Sequence, residues 1–163
     1  EAVSKVFTEP DPREDLSGND VARKLLILAR ELDLENEIDD VVIENLIPVN
    51  LRGGTPSDFL MKLNELDAKY DEIKSNQTEN HVLRYVGELS GDLTKTKGIL
   101  KVQLVSVPQN SSLGQVQGSD SIFEIYTESY SERPLVIQGA GAGASVTARG
   151  VFGDILRLSE KAI

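Results

Sequence analysis

The sequence contains no cysteine and a single histidine, His81, among its 163 residues. Without thiols the chain has no disulfide, no thiolate nucleophile and no thiolate zinc site. One imidazole excludes a histidine-rich metal site and a histidine-dependent catalytic triad. We therefore predict no metal site, exclude many hydrolase chemistries, and expect His81 to be an exposed or capping residue.

Basic residues and long apolar runs are also scarce. The chain has 17 lysines and arginines against 27 acids, which gives a formal net charge of -10. Affinity for nucleic acid needs a concentrated basic surface, so a nucleic-acid partner is excluded. No apolar run approaches the roughly 20 residues that cross a bilayer, and no signal segment opens the chain. We expect a cytoplasmic protein with no membrane partner.

What the sequence does contain is enough apolar material for one core. Hydrophobic residues make up 39% of the chain and charged residues 27%, without repeats or low-complexity tracts. This composition and length predict a single globular domain over residues 1–163.

Helical periodicity predicts three helices. The first runs from Gly18 to Leu32, with Ser17 or Asn19 as its cap; its apolar stripe is Val21, Leu25, Leu28 and Leu32, beside Ala22 and Ala29. The second opens at Thr55-Pro56-Ser57-Asp58, a capping pattern, and its buried face is Phe59, Leu63, Leu66, Tyr70 and Ile73. The third spans Val146 to Lys161.

Alternating or β-branched segments between these helices predict strands. They are Val41 to Ile47, Val82 to Leu89, Ile99 to Val107, Phe123 to Tyr130 and Leu135 to Gln138. Consecutive strands flanked by helices, without a βαβα alternation, predict an α+β fold with a mixed, largely antiparallel sheet.

Candidate chemistry is concentrated in residues 8–24, which contain five acids, four of them ahead of the first predicted helix. Asp20 and Lys24 lie one helical turn apart and share a face. On the shoulder of the apolar stripe, Lys24 would be partly desolvated, which lowers the pKa of an amine toward the range where it exchanges protons with an alcohol. The structural alternative is a solvated ion pair, with Ser17 and Asp20 forming a capping box.

Residues 8–30, TEPDPREDLSGNDVARKLLILAR, resemble the signature segment of homoserine dehydrogenases. Residues 134–158, PLVIQGAGAGASVTARGVFGDILRL, resemble that family's closing glycine loop and last helix, and VLRYVG at residues 82–87 is also similar. The match departs just before Thr8, where Lys5-Val6-Phe7 stands in place of a typical glycine and aromatic pair. Phe7 supplies the aromatic ring of that pair. The absence of the glycine puts the backbone conformation leading into Thr8 in question.

The resemblance implies an NAD- or NADP-dependent interconversion of L-homoserine and L-aspartate 4-semialdehyde. Lys24 matches the family's proton-transfer lysine. Asp20 is expected to act with it in catalysis and, together with Glu9, to hold the substrate's amino group, while Asp15 matches a further acid of that pocket. The sequence leaves the choice between NAD and NADP open.

The glycine run 139–143 has two interpretations. Gly139, Gly141 and Ala144 superficially satisfy a dinucleotide-binding fingerprint, but the second strand and ribose-binding acid of such a unit would have to follow, so we reject that interpretation. We expect instead that residues 139–163 pack toward a nucleotide-binding domain and, by the resemblance, that Gly143 contacts the cofactor. A plain strand-to-helix turn is the alternative.

The resemblance also implies a homodimer and a larger polypeptide that supplies most of the nucleotide-binding domain, with or without a fused aspartokinase. The chain alone is then expected to show little or no turnover, because the phosphate-binding loop lies elsewhere. The rival hypothesis is a non-catalytic oligomerisation or amino-acid-binding module, which would need Glu9 and Asp20 but not Lys24.

Overall fold

The computed structural model describes residues 2–5 and 7–161; Glu1, Val6, Ala162 and Ile163 lie outside the described residues. Contacts between α-carbons divide the chain into two units. The larger is Thr8–Gln109, and the smaller takes the described residues of 1–7 and 110–163. The single domain predicted over residues 1–163 therefore stays a prediction, and each unit is described by itself.

Among the described residues, the larger unit contains four α-helices and three strands, and the smaller unit contains two strands and one α-helix. In the larger unit they are α1 (Pro12–Ser17), α2 (Asn19–Glu31), β1 (Val41–Ile43), α3 (Pro56–Met61), α4 (Asp67–Ser75), β2 (His81–Ser90) and β3 (Ile99–Pro108), with 3-10 turns at Ile38–Asp40, Val49–Leu51 and Leu63–Leu66. In the smaller unit they are a 3-10 turn at Val3–Lys5, β4 (Asp120–Ile125), β5 (Leu135–Ala140) and α5 (Ala144–Lys161).

The acid-rich segment forms a helix of its own, which the sequence analysis did not predict. Asp11 caps α1 by accepting a hydrogen bond from the backbone N–H of Arg13 at 3.0 Å. Gly18, with a φ of 83°, ends α1 and begins α2. Neither Ser17 nor Asn19 caps α2, and the predicted Ser17–Asp20 capping box is also wrong, because the turn at Gly18 takes the cap position and its N–H bonds back to Asp15.

The sheet selects which face of α2 is buried. Ala22, Leu25, Leu26 and Ala29 are at most 9% exposed and pack on β1 and β3 through Val41, Leu100 and Val102. The predicted stripe was partly wrong, since Leu28 is 41% and Leu32 50% exposed. The two alanines of α2 face the sheet, because their small side chains let the helix and the sheet approach closely. Leu28 and Leu32 therefore lie at the surface.

The sheet of the larger unit has the order β1-β3-β2. β1 runs parallel to β3, whereas β2 is antiparallel to it over their whole length, from His81 opposite Pro108 to Ser90 opposite Ile99. β1 is shorter than predicted because Leu46 and Ile47 leave the sheet, and the N–H of Leu46 donates to the carbonyl of Leu16 at 3.0 Å. The α+β prediction with a mixed sheet is confirmed.

A second core cluster contains Ile47, Leu51, Phe59 and Leu66. The Thr55–Asp58 capping box is confirmed, with hydrogen bonds of 2.9 and 3.1 Å in the two directions. The long helix predicted from Pro56 to Ile73 is wrong, because it breaks into α3, a 3-10 turn and α4, leaving Leu63 40% exposed. No glycine or proline marks the break. A tertiary hydrogen bond of 2.7 Å from the Tyr70 hydroxyl to the Leu46 carbonyl holds α4 separately.

Asn36 ties the segment after α2 to the connection between β2 and β3. Asn36 is 2% exposed. The amide nitrogen donates to the carbonyl of Gly98 at 3.1 Å, and the amide oxygen accepts from the N–H of Gly98 at 2.9 Å. The side-chain nitrogen and oxygen of Asn36 therefore both form hydrogen bonds with the backbone of one residue, Gly98.

Replacing buried Asn36 with alanine is expected to lower the free energy of unfolding by about 2 kcal/mol, because the N–H and carbonyl of half-buried Gly98 both lose their hydrogen-bond partner. Urea unfolding measures the loss. The matched control is Asn50→Ala at an exposed position, for which we expect a change within about 0.5 kcal/mol. Equal losses in the two variants would contradict the role of Asn36.

The smaller unit is built on a two-stranded antiparallel sheet and one helix. β4 pairs with β5 from Asp120 opposite Ala140 to Ile125 opposite Leu135. The predicted strand Phe123 to Tyr130 in fact begins at Asp120 and ends at Ile125, while the strand predicted from Leu135 to Gln138 extends to Ala140. Among the described residues after Gln109, no hydrophobic side chain is buried. This unit therefore presents apolar surface, including Val151, Phe152 and Ile155 on α5.

Within the part of the chain that the structure describes, no helix combines the length and apolar character that crossing a membrane requires. The cytoplasmic location stays a prediction.

Candidate active site

Asp20 and Lys24 occupy the first two turns of α2 and form an ion pair. The Lys24 Nζ lies 2.7 Å from Asp20 Oδ2, as their spacing predicted. The Lys24 side chain is 72% exposed and that of Asp20 21%. The predicted partial desolvation of Lys24 is therefore wrong for this chain. At about 100° per residue, Lys24 stands nearly opposite the buried Ala22 and Leu26, on the outer face of the helix.

Glu9 and Asp15 are brought together on the other side of the α1–α2 turn. The backbone N–H of Glu9 donates to Asp15 Oδ2 at 3.1 Å, so this carboxylate fixes the chain just before α1. The Glu9 side chain is exposed and that of Asp15 half-buried. The four acidic and basic candidates thus lie as two pairs, one on each side of Gly18.

At Gly18 the turn approaches the sheet closely. A Cβ at this position would meet the Tyr85 hydroxyl, and would lie 2.7 Å from a methyl group of Ile43. The Tyr85 hydroxyl donates to the carbonyl of Glu44 at 2.6 Å. Burial, reinforced by the nearby Glu44 carboxylate, raises the pKa of Tyr85 to about 12. The Tyr85 side chain that lies against the turn at Gly18 is therefore a neutral phenol.

Arg13, for which the sequence predicted no role, has a side chain that is only 15% exposed. It binds the Asp11 carboxylate and also reaches the backbone carbonyls of residues 52–54. Hydrogen bonding from Arg13 lowers the pKa of Asp11 below its ordinary value. The only sequence signal was the position of Arg13 inside the acid-rich run. Backbone carbonyls as partners leave no mark in a sequence.

Arg23, on α2, makes a looser contact with Glu14 on α1. Its guanidinium lies 3.3 Å from the Glu14 carboxylate, with the two side chains 56% and 45% exposed. Exposed pairs of this kind contribute about 0 to 1 kcal/mol. Arg23 therefore serves as an internal comparison for Arg13.

Gly143 belongs to the smaller unit, in the loop between β5 and α5. It has a φ of 116°, a conformation that favours glycine, and its carbonyl accepts the N–H groups of Val146 and Thr147 at the start of α5. A surface depression of about 420 Å³ lies here, lined by Ala140, Ser145, Val146, Arg149 and Gly150. Among the described residues no strand follows α5. The contact of Gly143 with a cofactor stays a prediction.

Among the residues that the structure describes, no group of three histidine, cysteine or acidic side chains is arranged to hold a metal ion. The four candidate side chains Glu9, Asp15, Asp20 and Lys24 instead provide three carboxylates and one ammonium group. Such a set suits a small molecule that carries an amine, which the carboxylates bind, and a group that exchanges a proton with lysine.

The chain has an α+β fold with a lysine–carboxylate pair on α2, its first long helix. Comparison with known proteins then identifies its relationship. The family model described as homoserine dehydrogenase matches residues 1–156. The chain belongs to the homoserine dehydrogenase family, and the resemblance found in its sequence is confirmed.

Curated relatives agree with this assignment. The chain is 45% identical over 158 residues to the bifunctional aspartokinase/homoserine dehydrogenase of Haemophilus influenzae, covering 96% of this chain and 19% of that protein. It is 42% identical over 158 residues to the homoserine dehydrogenase of Paracoccidioides brasiliensis, covering 95% of this chain and 41% of that protein. The chain therefore spans less than half the length of both relatives.

Solved structures share the fold. A Candida auris protein of unknown function has a TM-score of 0.77 and 39% identity, covering 98% of this chain and 44% of that one. Homoserine dehydrogenase of S. aureus at pH 7.5 has a TM-score of 0.62 and 19% identity, covering 97% of this chain and 34% of that one. At 19% identity the second comparison supports the fold alone.

Proposed function

We propose that this chain is the substrate-binding and catalytic region of a homoserine dehydrogenase, which interconverts L-homoserine and L-aspartate 4-semialdehyde with NAD or NADP. The observation that carries the proposal is the 2.7 Å Lys24–Asp20 ion pair, which lies within residues 1–156, the range that the homoserine dehydrogenase family model matches. The chain spans less than half of its relatives' length, so the activity belongs to a longer protein that also binds the cofactor.

Lys24 handles the proton of the reaction. Oxidation breaks the C–H and O–H bonds at the alcohol carbon: a nicotinamide cofactor, when bound, would supply the acceptor for the hydride, and the Lys24 amine would take the hydroxyl proton. In the reverse direction a protonated Lys24, held by Asp20, gives that proton to the aldehyde oxygen. Asp20 orients the amine in both directions, since one of its oxygens lies 2.7 Å from Nζ.

The carboxylates hold the amino group of the substrate. Glu9 is exposed and Asp15 and Asp20 are half-buried, so all three can meet a ligand from solvent. A carboxylate accepts several hydrogen bonds, and Asp20 can therefore bind the substrate ammonium group as well as Lys24. An ammonium group between carboxylates makes charge-assisted hydrogen bonds, which are stronger than neutral ones.

The exposure of Lys24 requires that something cover it during the reaction, because proton transfer and hydride transfer both benefit from excluding water. We propose that the substrate, the cofactor and the remaining part of the longer protein provide this cover. In the same proposal Gly143 contacts the cofactor, and α5 packs toward the nucleotide-binding region. The exposed apolar residues of α5 support that packing. A homodimer and a cytoplasmic location complete the proposal, and a fused aspartokinase remains an alternative.

One observation favours a second function, a non-catalytic amino-acid-binding or oligomerisation module. The 72% exposure of Lys24 is also what a purely structural helix pair would show. In such a module the acids bind an amine, whereas Lys24 makes no contribution to chemistry.

Calorimetry with L-homoserine and a dehydrogenase assay, both on the longer protein, separate the two functions. Catalysis predicts that Glu9→Ala weakens homoserine binding by about tenfold or more through a lost charge-assisted bond, while Lys24→Ala still binds homoserine but turns it over at least about 10²-fold more slowly. The control is Glu65→Ala, an exposed acid outside the site. Binding by the parent protein without any turnover would establish the module instead.

The chain alone is expected to show little or no turnover, because the cofactor is bound mainly elsewhere in the longer protein. The same assay on the chain and on the longer protein checks this point. Equal turnover numbers in the two would contradict the proposal that the cofactor is bound mainly outside this chain.

A further inference from the structure

The Arg13 side chain makes hydrogen bonds in two directions. Toward its own segment, Nε lies 3.0 Å from both oxygens of Asp11, and Nη2 lies 2.6 Å from one of them. Toward the loop before α3, Nη1 lies 3.2, 3.0 and 3.0 Å from the carbonyl oxygens of Arg52, Gly53 and Gly54. A planar guanidinium with several donors fits this arrangement, whereas a lysine does not.

The two directions connect different parts of the larger unit. The loop 52–54 leads directly into α3, whose Phe59 is 2% exposed in the second core cluster. The Asp11 carboxylate that binds Arg13 also caps α1, through the Arg13 N–H. Arg13 therefore fastens the beginning of α1 to a loop that the core holds in place.

The proposed substrate acids lie immediately on either side of this fastening. Glu9 is four residues before Arg13 and Asp15 two residues after it, and the Glu9 N–H donates to Asp15 Oδ2 at 3.1 Å. Movement of the beginning of α1 would displace Glu9 and Asp15 together. By contrast, Lys24 and Asp20 are held by α2, whose buried face packs on the sheet.

We propose that Arg13 is a positioning residue for substrate binding: by joining Asp11 to the carbonyls of residues 52–54, it holds Glu9 and Asp15 where they receive the substrate's amino group. This inference rests on the proposed function. Under this proposal the Glu9–Asp15 pair and the Asp20–Lys24 pair have separate roles. Arg13 fixes the position of the first pair, whereas α2 holds the second.

A merely structural Arg13 would behave differently in a kinetic measurement. Loss of folded protein lowers the apparent kcat in proportion to the folded fraction, whereas KM is independent of enzyme concentration. Misplaced binding acids raise KM for homoserine and leave KM for the nicotinamide cofactor unchanged. The division of the effect between KM and kcat therefore distinguishes positioning from stability.

The test compares Arg13→Lys and Arg13→Gln with the parent in the longer protein, with melting temperatures recorded alongside steady-state kinetics. We expect KM for L-homoserine to rise about tenfold in both variants, with kcat within about threefold and KM for the cofactor unchanged. Lysine should not restore the parental KM, because it keeps the charge but cannot bond in both directions. The matched control is Arg23→Gln, which removes a single exposed contact and should keep the parental KM.

Asp11→Asn is the second variant, and it tests the positioning role of Arg13 if neither Arg13 variant folds. It keeps an oxygen for capping α1 but removes the charge that binds Arg13, so KM for L-homoserine should rise in the same direction. A parental KM in a folded Arg13 variant, or in Asp11→Asn where no Arg13 variant folds, overturns the positioning role alone. A parent that turns over no homoserine overturns the proposed function, and the role of Arg13 with it.

Discussion

Replacing Lys24 with alanine in the longer protein is expected to lower kcat for L-homoserine oxidation by about 10²- to 10⁴-fold, the range that a positioned proton-transfer group contributes. KM for homoserine should change only a few-fold, because Glu9 and Asp15 still bind the amino group. The 2.7 Å contact with Asp20 shows that the amine is held at a defined place on α2. Initial rates of cofactor reduction at saturating homoserine measure the effect.

Two further variants sharpen this result. Lys24→Arg keeps the charge and can still pair with Asp20, but a guanidinium does not give up its proton near neutral pH, so kcat should stay low. Lys74→Ala removes an exposed lysine at the end of α4 and should leave kcat at the parental value. A Lys24→Ala protein whose kcat is within a few-fold of the parent would show that the assigned proton transfer is wrong.

Replacing Gly18 with alanine is expected to lower the free energy of unfolding by about 3 kcal/mol, the sum of about 1 to 2 kcal/mol for a left-handed residue with a Cβ and about 1 to 3 kcal/mol for overpacking. Both contributions apply because φ is 83° and the new Cβ would meet the Tyr85 hydroxyl and Ile43. Urea unfolding of the chain measures this loss.

Gly53→Ala is the matched control, since a Cβ at Gly53 would have no atom within 4 Å. Its free energy of unfolding should change by less than about 1 kcal/mol. Because Gly18 joins α1 to α2, the alanine variant of the longer protein should also lose homoserine turnover. A Gly18→Ala protein as stable as the Gly53→Ala protein would mean that the turn tolerates a side chain and moves away from the sheet without cost.

Elements with a long and regular pattern could be predicted from the sequence. β2 and β3 alternate over ten residues each and were located to within one or two residues, and α2 was located through its apolar periodicity. The capping box at Thr55 was also correct, because its hydrogen bonds are local. Patterns of this kind depend on neighbouring residues only, which is why one sequence is enough to detect them.

The errors arose where tertiary contacts decide the structure. The buried face of α2 is chosen by the sheet, which receives Ala22 and Ala29 in preference to Leu28 and Leu32. The break after Met61 has no glycine or proline to announce it, and α4 is held by a hydrogen bond from Tyr70 to a distant carbonyl. α1 was missed because its stability depends on the Asp11 cap and on the turn at Gly18 rather than on an apolar stripe.

For the candidate site, residue spacing predicted one contact, the ion pair between Asp20 and Lys24, which is confirmed. The degree of exposure of Lys24 could not be derived from spacing, since it depends on the rotation of α2 against the sheet. The roles of Glu9 and Asp15 came from the family resemblance and stay predictions. Arg13 could not be found from sequence because its partners are backbone carbonyls forty residues away.

The most direct measurement is a crystal structure of the longer protein with L-homoserine and the nicotinamide cofactor bound. We predict that the Lys24 Nζ lies about 2.6 to 3.2 Å from the homoserine hydroxyl oxygen, the reach of a proton-transfer group, with the Glu9 carboxylate on the substrate's amino group. A complex in which Lys24 still extends into water, with homoserine bound away from it, would contradict the assignment of this amine to the chemistry.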